Sequence, residues 1–172
     1  MKLLVVVFFV VGLFSCKDNG QEQKPAVKWT KAQSTELNKE LAEQEKIDIQ
    51  LFLDRKPTWK MEESGSGLYY YIYEKGSGPA AVSGSYAQIS FEISLLDGTL
   101  CYKTEENEIE EFRVDKSQVE TGVQEAIKLM REGDKAKLII PSHLAHGLSG
   151  DMNKIPPLTP IVVDVELYKV LR

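Results

Sequence analysis

The sequence contains few of the side chains from which metal centres, disulfide scaffolds and nucleic-acid surfaces are built. Two cysteines and two histidines among 172 residues are too few for a Cys₄ or Cys₂His₂ zinc centre with the usual spacing. With 26 acidic side chains against 21 basic ones, the net charge of −5 argues against binding to nucleic acid. The sequence also lacks a P-loop, a dinucleotide-binding glycine motif and a G-x-S-x-G motif. Its stability has to come from a hydrophobic core, for which 42% apolar residues are sufficient.

Residues 1–15 have the pattern of a secretory signal peptide. Lys2 precedes an apolar run, Leu3 to Phe14, which would form about 18 Å of helix, whereas the hydrocarbon core of a bilayer is about 30 Å thick. The run ends in Leu13-Phe14-Ser15-Cys16, which resembles the bacterial lipobox, in which a small residue precedes a cysteine that becomes acylated. Cys16 is therefore the predicted lipidation site. The alternative is an ordinary signal peptide followed by an incidental cysteine.

These features predict an exported protein that is anchored by lipid to a bacterial membrane, in the periplasm or at the outer membrane. Acyl chains contribute about 0.8 kcal/mol per buried CH₂, so several chains on one cysteine make a durable anchor. Residues 16–33 contain few large apolar side chains and are predicted to form a tether.

Residues 34–56 are predicted to form an amphipathic helix ahead of the main domain. Apolar side chains recur at helical intervals, and Pro57 ends the pattern. The recurring residues are Leu37, Leu41, Ile47, Leu51 and Phe52. We favour packing of this stripe against the domain that follows, and the alternative is that residues 34–55 form a dimer or bind a partner protein.

Residues 68–172 have the patterns of an antiparallel α+β domain. Asp97-Gly98 is predicted to turn a hairpin, and the segment from Val119 to Met130 has one apolar helical face. Ser117 and Glu120 have the spacing of a capping box at the start of this helix. Strands are predicted at residues 68–73, 87–95, 110–114, 135–141 and 161–168. These patterns predict an antiparallel sheet of about five strands around one short helix.

The last strand alternates so that one face of the sheet is predicted to be buried and the other to face outward. Ile161 and Val163 are predicted to point inward, and Val162 and Asp164 outward. Between the last two strands, residues 142–160 are predicted to be irregular and carry His143, His146 and Asp151. Because a loop does not direct these side chains to one point, we predict no metal site there.

The order and spacing of short motifs across residues 82–171 resemble an FKBP-type peptidyl-prolyl isomerase domain. In chain order these motifs are Val82-Ser83-Gly84, Leu95-Leu96-Asp97-Gly98-Thr99, Arg131-Glu132-Gly133-Asp134-Lys135, Leu144-Ala145-His146-Gly147, Ile155-Pro156-Pro157 and Val163-Asp164-Val165-Glu166-Leu167. With the lipobox and the N-terminal helix, the chain further resembles the gliding-motility-associated FKBP lipoproteins of Bacteroidetes. The resemblance implies an FKBP-like fold, in which a bent antiparallel sheet wraps around the short helix. It also implies a substrate pocket between the helix and the sheet, and no cofactor.

The resemblance also implies which residues form this pocket. The implied site residues are Phe91, Tyr102, Val119, Glu120, Val123, His146 and Ile155, and the implied additional lining residues are Cys101, Phe112 and Val163. Val119 and Ile155 match the family's aliphatic walls, and the backbone N–H of Glu120 occupies the place of a hydrogen-bond donor to the substrate carbonyl. Phe91 replaces a tyrosine and keeps its ring.

Five positions depart from the family's pattern. Cys101 and Val163 stand where the family has phenylalanine, Val123 where it has tryptophan, Tyr102 where it has aspartate, and His146 where it has tyrosine. Each large aromatic side chain can bury roughly 150–250 Å². The losses predict a wider or differently filled pocket, with low activity on short proline peptides and weaker still affinity for macrolide inhibitors.

The resemblance and the lipobox together predict a membrane-anchored peptidyl-prolyl cis-trans isomerase that assists the folding of exported, proline-containing polypeptides. Uncatalysed isomerisation takes roughly 10–100 s, which is slow enough to limit the maturation of a secreted chain. The alternative is a non-catalytic FKBP-fold chaperone or protein-binding module.

Overall fold

A seven-stranded antiparallel sheet with one helix on each face makes up the residues that the computed structural model describes, 30–106 and 108–172. The helices are α1 (Lys31–Asp54) and α2 (Thr121–Leu129), and Ser142–Leu144 form a 3₁₀ turn. The strands are β1 (Glu62–Glu63), β2 (Tyr69–Glu74), β3 (Tyr86–Leu95), β4 (Leu100–Lys103), β5 (Glu110–Arg113), β6 (Lys135–Ile140) and β7 (Ile161–Leu171). Within these ranges no helix is both long and apolar enough to cross a bilayer. The predicted signal peptide, Cys16 and the tether as far as residue 29 lie outside the described residues.

Strand β3 is the most extensively paired strand of the sheet. The order of strands is β1-β2-β6-β7-β3, and the other edge of β3 pairs with β5 over residues 86–89 and with β4 over residues 92–94. The predicted hairpin joins β3 to β4, with Gly98 at a φ of 90°, which glycine adopts without the steric penalty of a Cβ. Consequently β3 and β7, which pair along their whole length, form the middle of the sheet.

Helix α2 packs its apolar face on one side of the sheet. Val123, Ala126 and Ile127 are buried there in one cluster with side chains of β3, β6 and β7. The start of the helix approaches the end of β6 closely, since a Cβ at Gly122 would lie 2.3 Å from Cγ2 of Ile140. This approach brings the segment before α2 next to residues 141–160, which we call the flap.

Helix α1 packs on the opposite side of the sheet. It begins with a capping box, in which the side chains and backbone N–H groups of Thr30 and Gln33 bond reciprocally. Its last turns bury Ile49 and Phe52 against Tyr69, Ile139 and Val162. The helix therefore packs on the domain, as favoured, but not through the predicted stripe. Leu37, Ile47 and Leu51 are exposed, because the side of α1 that faces the sheet carries Ile49 and Phe52, and of these only Phe52 belongs to the stripe. The N-terminal half of the helix is mostly exposed.

Three details differ from the sequence-based expectations. The sheet has seven strands rather than about five, because β1 and β4 are too short to show a pattern. The capping-box prediction at Ser117 was wrong: Glu120 is the N-cap of α2, and the Ser117 hydroxyl accepts the Arg113 N–H at 2.9 Å instead. Val162 is 8% exposed, because α1 covers the face to which it points.

Candidate active site

A cavity of about 740 Å³ lies between α2, the flap and the inner face of the sheet. Its volume is within the range of roughly 300–1,000 Å³ that is usual for ligand pockets. Apolar side chains of the three central strands line it, namely Ile89, Phe91, Ile93, Leu138, Val163 and Val165. Val119 and Val123 line it from the helix side, and His146, Asp151 and Asn153 from the flap. The cavity thus combines an apolar floor with a polar rim.

Eight of the ten pocket residues predicted from the resemblance line this cavity. They are Phe91, Tyr102, Phe112, Val119, Glu120, Val123, His146 and Val163. The other two, Cys101 and Ile155, are each 1% exposed, belong to the main core and do not line the cavity. Burial raises the pKa of the Cys101 thiol, so this cysteine behaves as a small apolar core residue. The individual roles of the lining residues remain predictions.

Asp151 is the centre of a hydrogen-bond network that ties the flap to β4. The Tyr102 hydroxyl donates to one carboxylate oxygen of Asp151, and the other oxygen accepts the N–H groups of Asn153 at 2.9 Å and Ile155 at 2.8 Å. The bond from Tyr102 makes the largest contribution to lowering the pKa of Asp151 to about 2. The same bond raises the pKa of the Tyr102 hydroxyl. Asp151 is therefore ionised at neutral pH and holds Tyr102 at the rim of the cavity.

Asp151 and Asn153 line the cavity but were not among the predicted pocket residues. Asp151, His143 and His146 do not form a metal site, since the three side chains have different partners. Nε2 of His143 lies 3.1 Å from the Ser66 carbonyl oxygen, whereas Nε2 of His146 lies 3.5 Å from Oε1 of Glu120. In the described part of the chain, no three His, Cys, Asp or Glu side chains converge as metal ligands. The one sequence feature that could have placed Asp151 at the pocket is its closeness along the loop to Ile155.

Glu120 presents both a side chain and a backbone donor to the cavity. As the N-cap of α2 it makes no side-chain capping bond, and its carboxylate faces His146 across the cavity mouth. Within residues 30–106 and 108–172, its backbone N–H donates to no acceptor. This N–H is therefore available to the carbonyl group of a bound peptide.

The charged residues around the cavity are mostly acidic. Glu110, Glu111, Glu120 and Asp151 line it, and Lys103, the lysine among the lining residues, pairs with Glu92 at 3.0 Å. An acidic peptide is consequently a poor electrostatic match for this rim.

Comparison with known proteins assigns the domain that contains the cavity. Residues 78–168, more than half of the chain, match the model of the family described as FKBP-type peptidyl-prolyl cis-trans isomerase. The macrophage infectivity potentiator of Trypanosoma cruzi is 36% identical over 107 residues, which cover 61% of this chain and 54% of that protein. The FKBP-type peptidyl-prolyl cis-trans isomerase FkpA of Escherichia coli K12 is 34% identical over 111 residues, 64% of this chain and 40% of that protein. The chain thus spans about half or less of the length of these relatives.

Solved structures show the same fold. The crystal structure of FkpA from Escherichia coli superposes with a TM-score of 0.66 at 30% identity, covering 81% of this chain and 65% of that one. A peptidyl-prolyl cis-trans isomerase from Pseudomonas syringae pv. tomato gives a TM-score of 0.64 at 26% identity, covering 74% of this chain and 93% of that one. The α+β fold predicted from the sequence is therefore confirmed. From the family match and these similarities, the chain belongs to the FKBP-type peptidyl-prolyl cis-trans isomerase family.

Proposed function

We propose that this protein is a peptidyl-prolyl cis-trans isomerase that assists the folding of exported polypeptides while a lipid on Cys16 holds it at a bacterial membrane. The observation that carries the enzymatic part is the cavity of about 740 Å³. It has an apolar floor, and the backbone N–H of Glu120 beside it donates to no acceptor among the described residues. Family membership supports the reaction class.

The chemistry requires an environment rather than a reactive side chain. Rotation about an X-Pro bond crosses a barrier of about 18–20 kcal/mol, because twisting breaks the resonance between nitrogen and carbonyl. The twisted bond has less charge separation than the planar one, so an apolar floor stabilises it relative to the planar ground state. The Glu120 N–H is placed to hold a substrate carbonyl during the rotation. Each 1.4 kcal/mol removed from the barrier accelerates the reaction about tenfold.

We also propose that the activity on short peptides is reduced. Val123 and Val163 line the cavity where the family resemblance implies large aromatic rings, so a proline ring has fewer contacts with the floor. Within the described residues, the aromatic rings of Phe91, Phe112 and Tyr102 line the cavity. A longer polypeptide, which binds through more of its length, is expected to be less affected.

The test is a refolding assay on a denatured protein whose slow phase is limited by proline isomerisation. We expect the protein at micromolar concentration to accelerate this phase, and we expect a variant with Phe91→Ala to accelerate it less. A rate equal to the uncatalysed rate would contradict the enzymatic proposal.

The second candidate function is a non-catalytic chaperone or protein-binding module, and the small side chains of Val123 and Val163 favour it. Replacement of Val123 with Trp distinguishes the two, because it restores an aromatic floor. A higher isomerase rate in Val123→Trp supports a weakened enzyme. A folded variant without any gain, together with suppression of aggregation by the unmodified protein, supports the binding module.

The location and the partners belong to the same proposal. We propose export and lipid attachment in the periplasm or at the outer membrane, with proline-containing exported polypeptides as substrates and no nucleic acid among the partners. The resemblance to gliding-motility-associated lipoproteins of Bacteroidetes supports this location. Dimerisation through residues 34–55 would use the exposed side chains of α1, of which Ile47 and Leu51 are 52% and 57% exposed.

A further inference from the structure

A side chain of α1, which lies outside the family-matched residues 78–168, contacts the flap of the cavity. Oε1 of Glu45 accepts the Ser142 N–H at 2.5 Å, and Oε2 accepts the Ser142 hydroxyl at 3.0 Å. We propose that Glu45 is a positioning residue of the active site, which fixes Ser142 and thereby the part of the flap that carries His146. This inference rests on the proposed isomerase function of the cavity.

Ser142 depends on Glu45 because it is buried. The residue is 4% exposed, and a buried N–H or hydroxyl without an acceptor is destabilising. The half-buried Glu45 carboxylate accepts from both groups at once. Without the Glu45 side chain, the Ser142 N–H and hydroxyl would be buried without an acceptor. The flap would then have to move so that water can bind these two groups.

The position of Ser142 determines the backbone on both sides of His146. The Ser142 carbonyl oxygen accepts the Ala145 N–H at 3.0 Å and the Gly147 N–H at 2.7 Å. The imidazole between these two residues lines the cavity, and its Nε2 lies 3.5 Å from Oε1 of Glu120. A displacement of Ser142 is therefore passed to His146, and His146 faces the residue whose backbone N–H is available to substrate.

Glu45 can act in this way because its helix is fixed on the sheet. Ile49 lies four residues further along, on the same face of α1, and is 1% exposed in the cluster with Tyr69, Ile139 and Val162. Ile139 is near the end of β6, three residues before Ser142. The helix thus holds the carboxylate at a constant place relative to the strand that leads into the flap.

The experiment compares Glu45→Ala and Glu45→Gln with the unmodified full-length protein, which is purified with an affinity tag that contains no histidine. Glu43→Ala is the matched control, because Glu43 is exposed on the same helix and makes no hydrogen bond or ion pair within the described residues. The readouts are kcat and KM, measured separately, and the NMR signals of the two histidine rings. Since the chain has two histidines, His143 and His146, both signals report on the flap.

We expect Glu45→Ala to shift both ring signals and to raise KM by about threefold to tenfold, with a smaller change in kcat, because a misplaced flap weakens substrate binding first. Glu45→Gln keeps one acceptor oxygen and should recover most of the loss. Glu43→Ala should match the unmodified protein in every readout.

Unchanged ring signals together with an unchanged KM in Glu45→Ala would overturn the inference. An inactive unmodified protein would count against the proposed function instead, and the ring signals, which need no turnover, would still test the role of Glu45.

If Glu45→Ala does not fold, Ser142→Ala replaces it, since this variant removes the hydroxyl and keeps the N–H contact. Ser142→Ala should then shift both ring signals relative to the unmodified protein, and an unchanged spectrum would overturn the inference.

Discussion

The Asp151 carboxylate accepts hydrogen bonds from one hydroxyl and two backbone N–H groups, all of which favour its charged form. A carboxylate in this environment both stiffens the loop and makes the flap sensitive to acid. Its pKa of about 2 is below the ordinary value for aspartate of about 4, which applies in the unfolded chain.

The stability contributed by Asp151 should therefore be lost at low pH. Because the folded pKa is the lower one, this stability is fully present above about pH 4 and disappears as the pH falls towards 2. Asp151→Asn cannot lose a charge, so we expect its deficit in free energy of unfolding to be largest above pH 4 and to shrink at lower pH. Urea unfolding of both proteins between pH 2 and 6 measures this, with Glu40→Gln on the exposed part of α1 as a control. A deficit that stays constant over the range would contradict the prediction.

At the scale of the secondary-structure element, the close approach of α2 to β6 positions the cavity wall. The approach requires the absence of a side chain at residue 122, where a Cβ would also lie 3.2 Å from the Leu144 carbonyl oxygen. Any larger residue would push the start of α2 away from the flap and separate Glu120 from His146.

Gly122→Ala is accordingly expected to destabilise the protein. Alanine favours a helix by about 1 kcal/mol over glycine, but overpacking against Ile140 costs about 1–3 kcal/mol, so the net effect should be a loss. Urea denaturation should show a lower midpoint than for Gly65→Ala, the control, since nothing lies within 4 Å of a Cβ at Gly65. An equal or higher midpoint for Gly122→Ala would show that α2 can move without penalty.

The elements with a repeating pattern were predictable from sequence, and two short strands without one were not. Alternation over ten residues identifies β3, and the four-residue β5 was still predicted from Phe112 and Val114, whereas β4 and the two residues of β1 show no such pattern. The burial of Val162 depends on α1, which is distant in sequence, so no local pattern could reveal it. For the candidate site, most of the residues that the family resemblance implied do line the cavity. Ile155 was implied as a wall residue, but its side chain is buried in the core.

At the scale of the whole molecule, we propose that a lipid on Cys16 attaches the protein to the membrane. A net charge of −5 opposes direct adsorption of the protein to anionic lipids, so attachment should depend on the acyl chains. Cys16→Ser should therefore move the protein from the membrane fraction to the soluble fraction, as measured by fractionation and immunoblotting. Cys101→Ala, which changes the other cysteine, should leave it in the membrane fraction. Retention of Cys16→Ser after a salt wash would contradict lipid attachment.

The position of β7 in the sheet limits how early the sheet can form while the chain is being synthesised. This strand is the last of the seven along the described chain, yet it lies between β3 and β6 and pairs with both. During synthesis, the strands on the two sides of β7 cannot join into one sheet until β7 itself has emerged, because pairing over such sequence distances needs both partners. A polypeptide that is threaded unfolded through a translocation pore must not fold too early, so a central strand that is made late is compatible with the export proposed for this protein.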